Sequence, residues 1–254
     1  MAVVAHAAPD ADLRARWTTH DAGDTRTIDH SARIAFLQRS RVMGDDGVAR
    51  LRYGDVTATD RDVLQACIDR LAEVRIDGYH RDVQRAYWID LYNALTVDVV
   101  LDRYPVGSIR DIDIAPGWFS DGPWGAKLVT VGGIALSLDD IEHRILRPIW
   151  RDPRTRYAMN CASLGCPNIR AVAFTANNAD TLLDRGAREY VNGPRGAVIV
   201  DGELVVSSIY EWFQADFGGT EGGVLAHLRR YADARTRAML EGGRATTAAA
   251  TTGR

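Results

Sequence analysis

The chain has 254 residues, 46% of them apolar and 26% charged, and a net charge of -3. That is enough to bury a real core, and it fits one domain of roughly 200 residues with ragged ends. The positive residues are interleaved with acids, as in Arg144, Arg147 and Arg151 beside Asp139, Asp140 and Glu142. No basic stripe forms, so nucleic acid is set aside as a partner. No run approaches the roughly 20 apolar residues of a membrane span; the densest stretch is broken by Asp90, Asn93 and Asp98.

At the start, Ala5-His6-Ala7 before Ala8-Pro9 has the small-x-small form of a leader cleavage site. Only Met1-Ala2-Val3-Val4 precedes it, short of a complete apolar region, so export (periplasmic or extracellular) and a cytoplasmic location both stay open. Residues 1–27 are read as a leader remnant or a flexible N-terminal segment, and residues 28–240 as the domain. Residues 241–254, mostly Gly, Ala and Thr with no core-forming residues, read as a disordered tail.

Within the domain, helices are predicted over residues 31–41, 60–72, 82–103, 138–150, 179–191, 209–217 and 224–240, most with an Asx, Ser or Gly signal at one end. Residues 128–136 around Gly132-Gly133 read as a hairpin, and so do residues 198–206 around Asp201-Gly202. There is no βαβ alternation and no glycine-rich phosphate loop. The class is α+β, a predominantly helical single domain with short antiparallel strands.

Helix 82–103 is the expected centre. On a wheel of about 100° per residue its solvent stripe is Asp90, Ala94, Asp98 and Asp102, while Arg85, Asn93 and Thr96 point inward among apolar residues. A buried polar group without a partner costs on the order of 1–3 kcal/mol, so these three should meet partners. Cys67, with Val63, Leu64 and Leu71, is core. The loop at Gly117-Trp118-Phe119-Ser120-Asp121-Gly122-Pro123-Trp124 suggests aromatics over a groove or packed beneath it.

Helix 138–150 opens with a Ser137-x-x-Asp140 capping arrangement. Glu142 falls within its apolar face and His143 on the flank. Ser208-Ile209-Tyr210-Glu211 has the form of a capping box, and Asp216 falls among Ile209, Trp212 and Phe213. A buried acid needs a counter-ion, and Arg85 is the expected one for Glu142 or Asp216. In Asn160-Cys161-Ala162-Ser163-Leu164-Gly165-Cys166-Pro167 two cysteines stand five apart after a strand expected at Tyr157-Ala158-Met159. A strand ending at Gly and Pro leaves a thiol at a sheet edge where it can ionise.

These motifs carry a resemblance. Tyr87-Trp88-Ile89-Asp90-Leu91-Tyr92-Asn93-Ala94-Leu95-Thr96, then Leu136 to His143, then Asn160-Cys161 with Cys166-Pro167, then Trp212-Phe213 with Asp216-Phe217 resemble the successive signatures of the family called domain of unknown function 547. The resemblance runs over roughly residues 28–231. It implies that exported bacterial proteins are common relatives and places the fold better than the chemistry.

Three readings of the site remain. One is a thiol-dependent hydrolase or acyl transferase, with Cys161 or Cys166 as nucleophile, His143 as base, and Asp216, Glu142 or Asn93 orienting the imidazole. Its substrate would be a peptide or a cell-envelope polymer. The second is a non-catalytic structural or binding module in which Cys161 and Cys166 form a disulfide or lie buried and the charged residues form a network. The third sets His143, Cys161 and Cys166 around zinc with Glu142 or Asp216, although no second close pair supports it. No cofactor is called for by any motif.

Overall fold

The structure is a computed structural model and describes residues 9–116, 122–201, 203–242 and 245–247. The leader-like residues 5–7 and residues 117–121 of the aromatic loop lie outside the described residues.

Helix α3 (Arg81–Arg103) is the centre of the fold. The His80 side chain caps its first turn, and it stops at Tyr104, where the following Pro105 disfavours a helical residue. At 23 residues it is about 35 Å long, and from Val83 to Val97 every residue is buried. Such burial demands neighbours on every side. They are α1 (Ser31–Ser40), α2 (Ala58–Glu73), which a Thr57–Asp60 capping box opens, the hairpin of β3 (Val129–Val131) and β4 (Ile134–Leu136), and the helix that follows that hairpin. A second small hairpin pairs β1 (Arg41–Met43) with β2 (Ala49–Leu51).

The expected solvent stripe on α3 needs correction. Asp90 is 0% exposed and Ala94 is buried; of the four, Asp98 is half-buried and Asp102 exposed. The carboxylate of Asp90 meets Arg33 of α1 at 3.0 Å and His30 Nδ1 at 3.1 Å, and accepts the Phe174 N–H at 3.0 Å. A wheel assigns faces relative to water, but α1 and the chain at Phe174 cover the N-terminal half of this helix on the side the wheel leaves open. Complete burial pushes the Asp90 carboxyl up to about 6 against the pull of Arg33, and burial drives His30 down to about 4, so the imidazole is neutral. The three inward polar groups do find partners. Arg85 bonds Asp152 at 2.7 Å and Thr155 at 3.1 Å, Thr96 bonds the Tyr92 carbonyl at 2.9 Å, and Asn93 bonds the Ala158 carbonyl at 2.9 Å.

A second core lies C-terminal to the first. It joins α6 (Ala179–Val191), the hairpin β5 (Ala197–Val200) and β6 (Glu203–Val206), α7 (Ile209–Trp212) and α8 (Glu221–Tyr231). The predicted helix 209–217 is broken: α7 is one turn and a 3-10 turn, Gln214–Phe217, follows it. Ser208 makes no side-chain cap; the Ser207 hydroxyl accepts the Ile209 N–H instead. The predicted helix 224–240 is likewise two helices, because the Asp233 side chain accepts the Thr236 N–H and starts α9 (Ala234–Gly242) afresh. In the tail read as disordered, α9 runs through residues 241–242 and β7 (Ala245–Thr247) pairs parallel to β6; residues 243–244 and 248–254 lie outside the described residues. Helices dominate and the strands make three small sheets among the described residues, so the fold is the expected helical α+β class.

Residues 157–159 join the two cores. No strand forms there; a 3-10 turn, Pro153–Tyr157, runs into irregular chain. Tyr157 packs in the second core while Ala158 and Met159 pack in the first. The Tyr157 hydroxyl meets His227 Nε2 at 2.8 Å and Tyr210 at 3.3 Å.

Two outcomes follow. Asp90→Ala leaves Arg33 buried without its counter-ion and is expected to cost about 3–5 kcal/mol by urea denaturation, whereas Asp102→Ala on the exposed end stays within about 1 kcal/mol. Burial holds the folded pKa of His227 down to about 4, below the ordinary 6.5. The unfolded chain therefore takes up this proton first, and the contribution of His227 is complete above pH 6.5 and lost as pH falls toward 4. The stability of wild type minus His227→Gln should drop by about 1.4 kcal/mol per pH unit in that window.

Candidate functional site

The site lies on the seam between the cores and starts from a proline. The predicted helix 138–150 forms, and Ser137 with Asp140 makes the expected capping box. The helix is not uniform, however. Between α4 (Leu138–Ile141) and α5 (Arg147–Trp150) runs a π turn, Glu142–Leu146, in which the Arg147 N–H reaches back five residues to Glu142. Pro148 has no N–H to give to the Arg144 carbonyl four residues back, and the Arg147 N–H that a regular helix would give to His143 goes to Glu142 instead, so both carbonyls lack their helical donor. The N-terminal segment provides the replacements: Asp12 N–H donates to His143 at 3.0 Å and Arg14 N–H to Arg144 at 3.1 Å. Arg14 also pairs with Asp140 at 2.9 Å, and Trp17 beyond it is buried edge-on against Trp88 at 5.0 Å.

The π turn brings Glu142 and His143 in beside Arg147. Arg147 holds Asp216 with two bonds, Nε to Oδ2 at 2.7 Å and Nη2 to Oδ1 at 3.0 Å, while its Nη1 meets His143 Nδ1 at 2.9 Å and the Pro9 carbonyl at 2.5 Å. Glu142 is paired with Arg156, and the buried Tyr92 ring lies close enough for the Glu142 charge to help raise its hydroxyl, after burial itself. The Arg156 guanidinium lies 3.6 Å from the centre of the Phe213 ring, and His143 stacks on that ring at 6.2 Å.

The electrostatics follow from burial and from these partners. Burial raises the Glu142 carboxyl, but the guanidinium of Arg156 and that of Arg147 beyond it overcome this and the net direction is downward, so it is ionised. Burial lowers His143, and Arg156 and Arg147 lower it further against the pull of Glu142. The imidazole is therefore neutral. With Arg147 donating to Nδ1, the ring proton sits on Nε2, which faces Asp139 at 3.6 Å and Glu142 at 3.7 Å. Asp139 is pushed up to about 6 by burial and by the neighbouring carboxylates of Glu142 and Asp140.

The structure thus brings Glu142, His143 and Asp216 together but sends the other predicted residues elsewhere. Arg85 is not their counter-ion; it pairs with Asp152, and Arg147 and Arg156 take the acids instead. Asn93 does not orient the imidazole. Its amide bonds the Ala158 carbonyl, and its Oδ1 accepts the Asn160 N–H at 2.8 Å. Cys161 and Cys166 are joined in a disulfide with Cα atoms 6.0 Å apart. Asn160 shapes this loop by accepting the Ala162 N–H at 2.9 Å, with Ala162 in the left-handed region at φ 55. Tyr190 and Arg195 clamp it by donating to the Gly165 and Cys166 carbonyls at 2.7 and 2.6 Å. Bonded sulfurs offer no thiolate to zinc, and no cluster of three or more ligating side chains fit to hold a metal occurs among the described residues.

Beside Arg147 a cavity of about 370 Å³ opens. Its lining takes in Asp10, Ala11 and Leu13 of the N-terminal segment together with Pro148, Arg151, Thr155, Arg156 and Met159. Sequence reasoning missed Arg147, Arg156 and Phe213. Arg147 stands four residues after His143, on the same helical face, and Pro148 inside a predicted helix marked the break; both signals were in the sequence.

The fold and this site define a helical α+β domain with a closed network of arginines and acids beside a small polar cavity. Residues 76–191 match the model of the family described as "Protein of unknown function, DUF547", in agreement with the resemblance. The match spans α3 to α6 with the π turn and the disulfide loop, while the N-terminal segment, Phe213 and Asp216 lie outside it. No curated protein and no solved structure matches the chain. No helix among the described residues is long and apolar enough to cross a membrane.

Arg147→Ala leaves Asp216 without its partner and is expected to cost about 3 kcal/mol by denaturant unfolding. In a double-mutant cycle with Asp216→Ala the coupling should be about 1–3 kcal/mol, and additivity of the two changes would refute the network.

Proposed function

We propose that the domain is a non-catalytic binding module whose ligand enters the cavity beside Arg147. The observation that carries this reading is the state of the would-be catalytic pair. The two sulfurs are bonded to each other, and Nδ1 of His143 accepts from Arg147 while its Nε2–H faces carboxylates. A general base needs a lone pair free to take the nucleophile's proton. Here the lone pair is already engaged by a cation. The charged residues instead serve to hold the cavity walls in one arrangement, as the second reading of the sequence has it. With arginines, carboxylates and the apolar edges of Met159 and Leu13 around it, the cavity suits a polar ligand that offers hydrogen bonds rather than a wholly apolar one.

Alkylation followed by mass spectrometry tests this directly. The native protein should take up no label; after mild reduction Cys161 and Cys166 should both label at rates typical of a thiol of pKa about 8.5, and Cys67 only on unfolding. Rapid labelling of Cys161 or Cys166 near pH 6 would mean a thiolate held by an imidazolium. That result overturns the binding reading in favour of a thiol-dependent hydrolase.

A further inference from the structure

The segment that satisfies the broken helix is held in an unusual way. Residues 9–13 are exposed, Leu13 to 46%, so little apolar burial fastens them. They are held through backbone groups: the N–H groups of Asp12 and Arg14, two residues apart, on the His143 and Arg144 carbonyls, and the Pro9 carbonyl on Arg147. Alternate N–H groups on one side are the signature of an extended strand, and partners that read them are tolerant of side-chain identity. The one side-chain selection is a cation, Arg14, opposite Asp140. The buried anchor, Trp17, comes only after this stretch.

Given the binding role proposed above, we infer that the open edge of the helix at His143 and Arg144 is a docking site for an extended peptide, and that residues 9–14 occupy it in cis. The two carbonyls are a standing demand, because Pro148 has no N–H for Arg144 and the Arg147 N–H is taken by Glu142 and not given to His143. A segment with few buried contacts belongs to the part of a fold that opens most readily. A visiting peptide replaces it bond for bond: a carbonyl to Arg147, two alternate N–H groups to the helix, and a basic side chain to Asp140. Its intervening side chains then take the places of Asp10, Ala11 and Leu13 on the cavity wall, with Arg151, Arg156 and Met159 facing them. Trp17 keeps the displaced segment tethered, so the site closes again when the peptide leaves.

The probe is a fluorescein-labelled peptide of residues 9–16, PDADLRAR, followed by anisotropy with the full-length chain. Asp12→Pro removes one N–H from the cis segment and should bind the peptide about tenfold more tightly than the wild type, while Asp12→Ala, which keeps the N–H, should match the wild type. The same peptide N-methylated at its Asp12 and Arg14 positions should lose binding to Asp12→Pro. Equal binding by Asp12→Pro and wild type, or undiminished binding of the methylated peptide, overturns the inference. Hydrogen exchange on the unsubstituted protein is independent of how the variant folds. The Asp12 and Arg14 amides should exchange more slowly than those of Asp10 and Ala11, and saturating peptide should speed them; unchanged rates overturn the inference as well. Failure here leaves slow, equal thiol labelling intact, whereas fast labelling overturns the binding reading whatever the peptide does.

Discussion

A proline inside a helix removes a donor and leaves carbonyls that must be answered from elsewhere, and much of this site is arranged around that constraint. Pro148 denies an N–H to Arg144, the turn before it widens so that Arg147 bonds back to Glu142 and leaves His143 open as well, and the N-terminal segment lies along the gap. Widening the turn changes the angular step between side chains. Glu142, His143 and Arg147 come to face one region, where Asp216 and Arg156 complete the charges. A π turn found at a site has a use of this kind: it re-aims side chains without ending the helix.

The placement of charges follows one rule throughout the molecule. Each deeply buried acid on the central helices has an arginine from another element: Asp90 from α1, Glu142 from the 3-10 turn and Asp140 from the N-terminal segment. An unpaired buried carboxylate would take up a proton or unfold its surroundings, so each pair also fixes how two elements pack. The neutral histidines His30, His143 and His227 complete the arrangement, lowered first by burial in every case.

Much of this was legible in the residues. The central helix, α6, the hairpins at Gly132-Gly133 and Asp201 and the capping box at Ser137 came from periodicity and capping chemistry, which are local. The inward direction of Arg85, Asn93 and Thr96 was also a matter of helical geometry. What misled was Asp90, because a wheel cannot see that a second helix covers the side it leaves open. The break after Trp212 was missed because an apolar pattern continued across it to Phe217.

By itself the sequence determined that the chain is a helical α+β domain, that acids and polar groups lie inside it, and that two cysteines stand close enough to join. These are consequences of spacing along the chain, which short-range geometry decides. The tertiary structure alone decided which arginine answers which acid, that the sulfurs are joined while the imidazole is held by Arg147, and that residues 9–14 seal a helix more than a hundred positions away. Counter-ions and donors are chosen by proximity in space. A buried charge requires only that some partner arrive, and which one does is settled by how the elements pack.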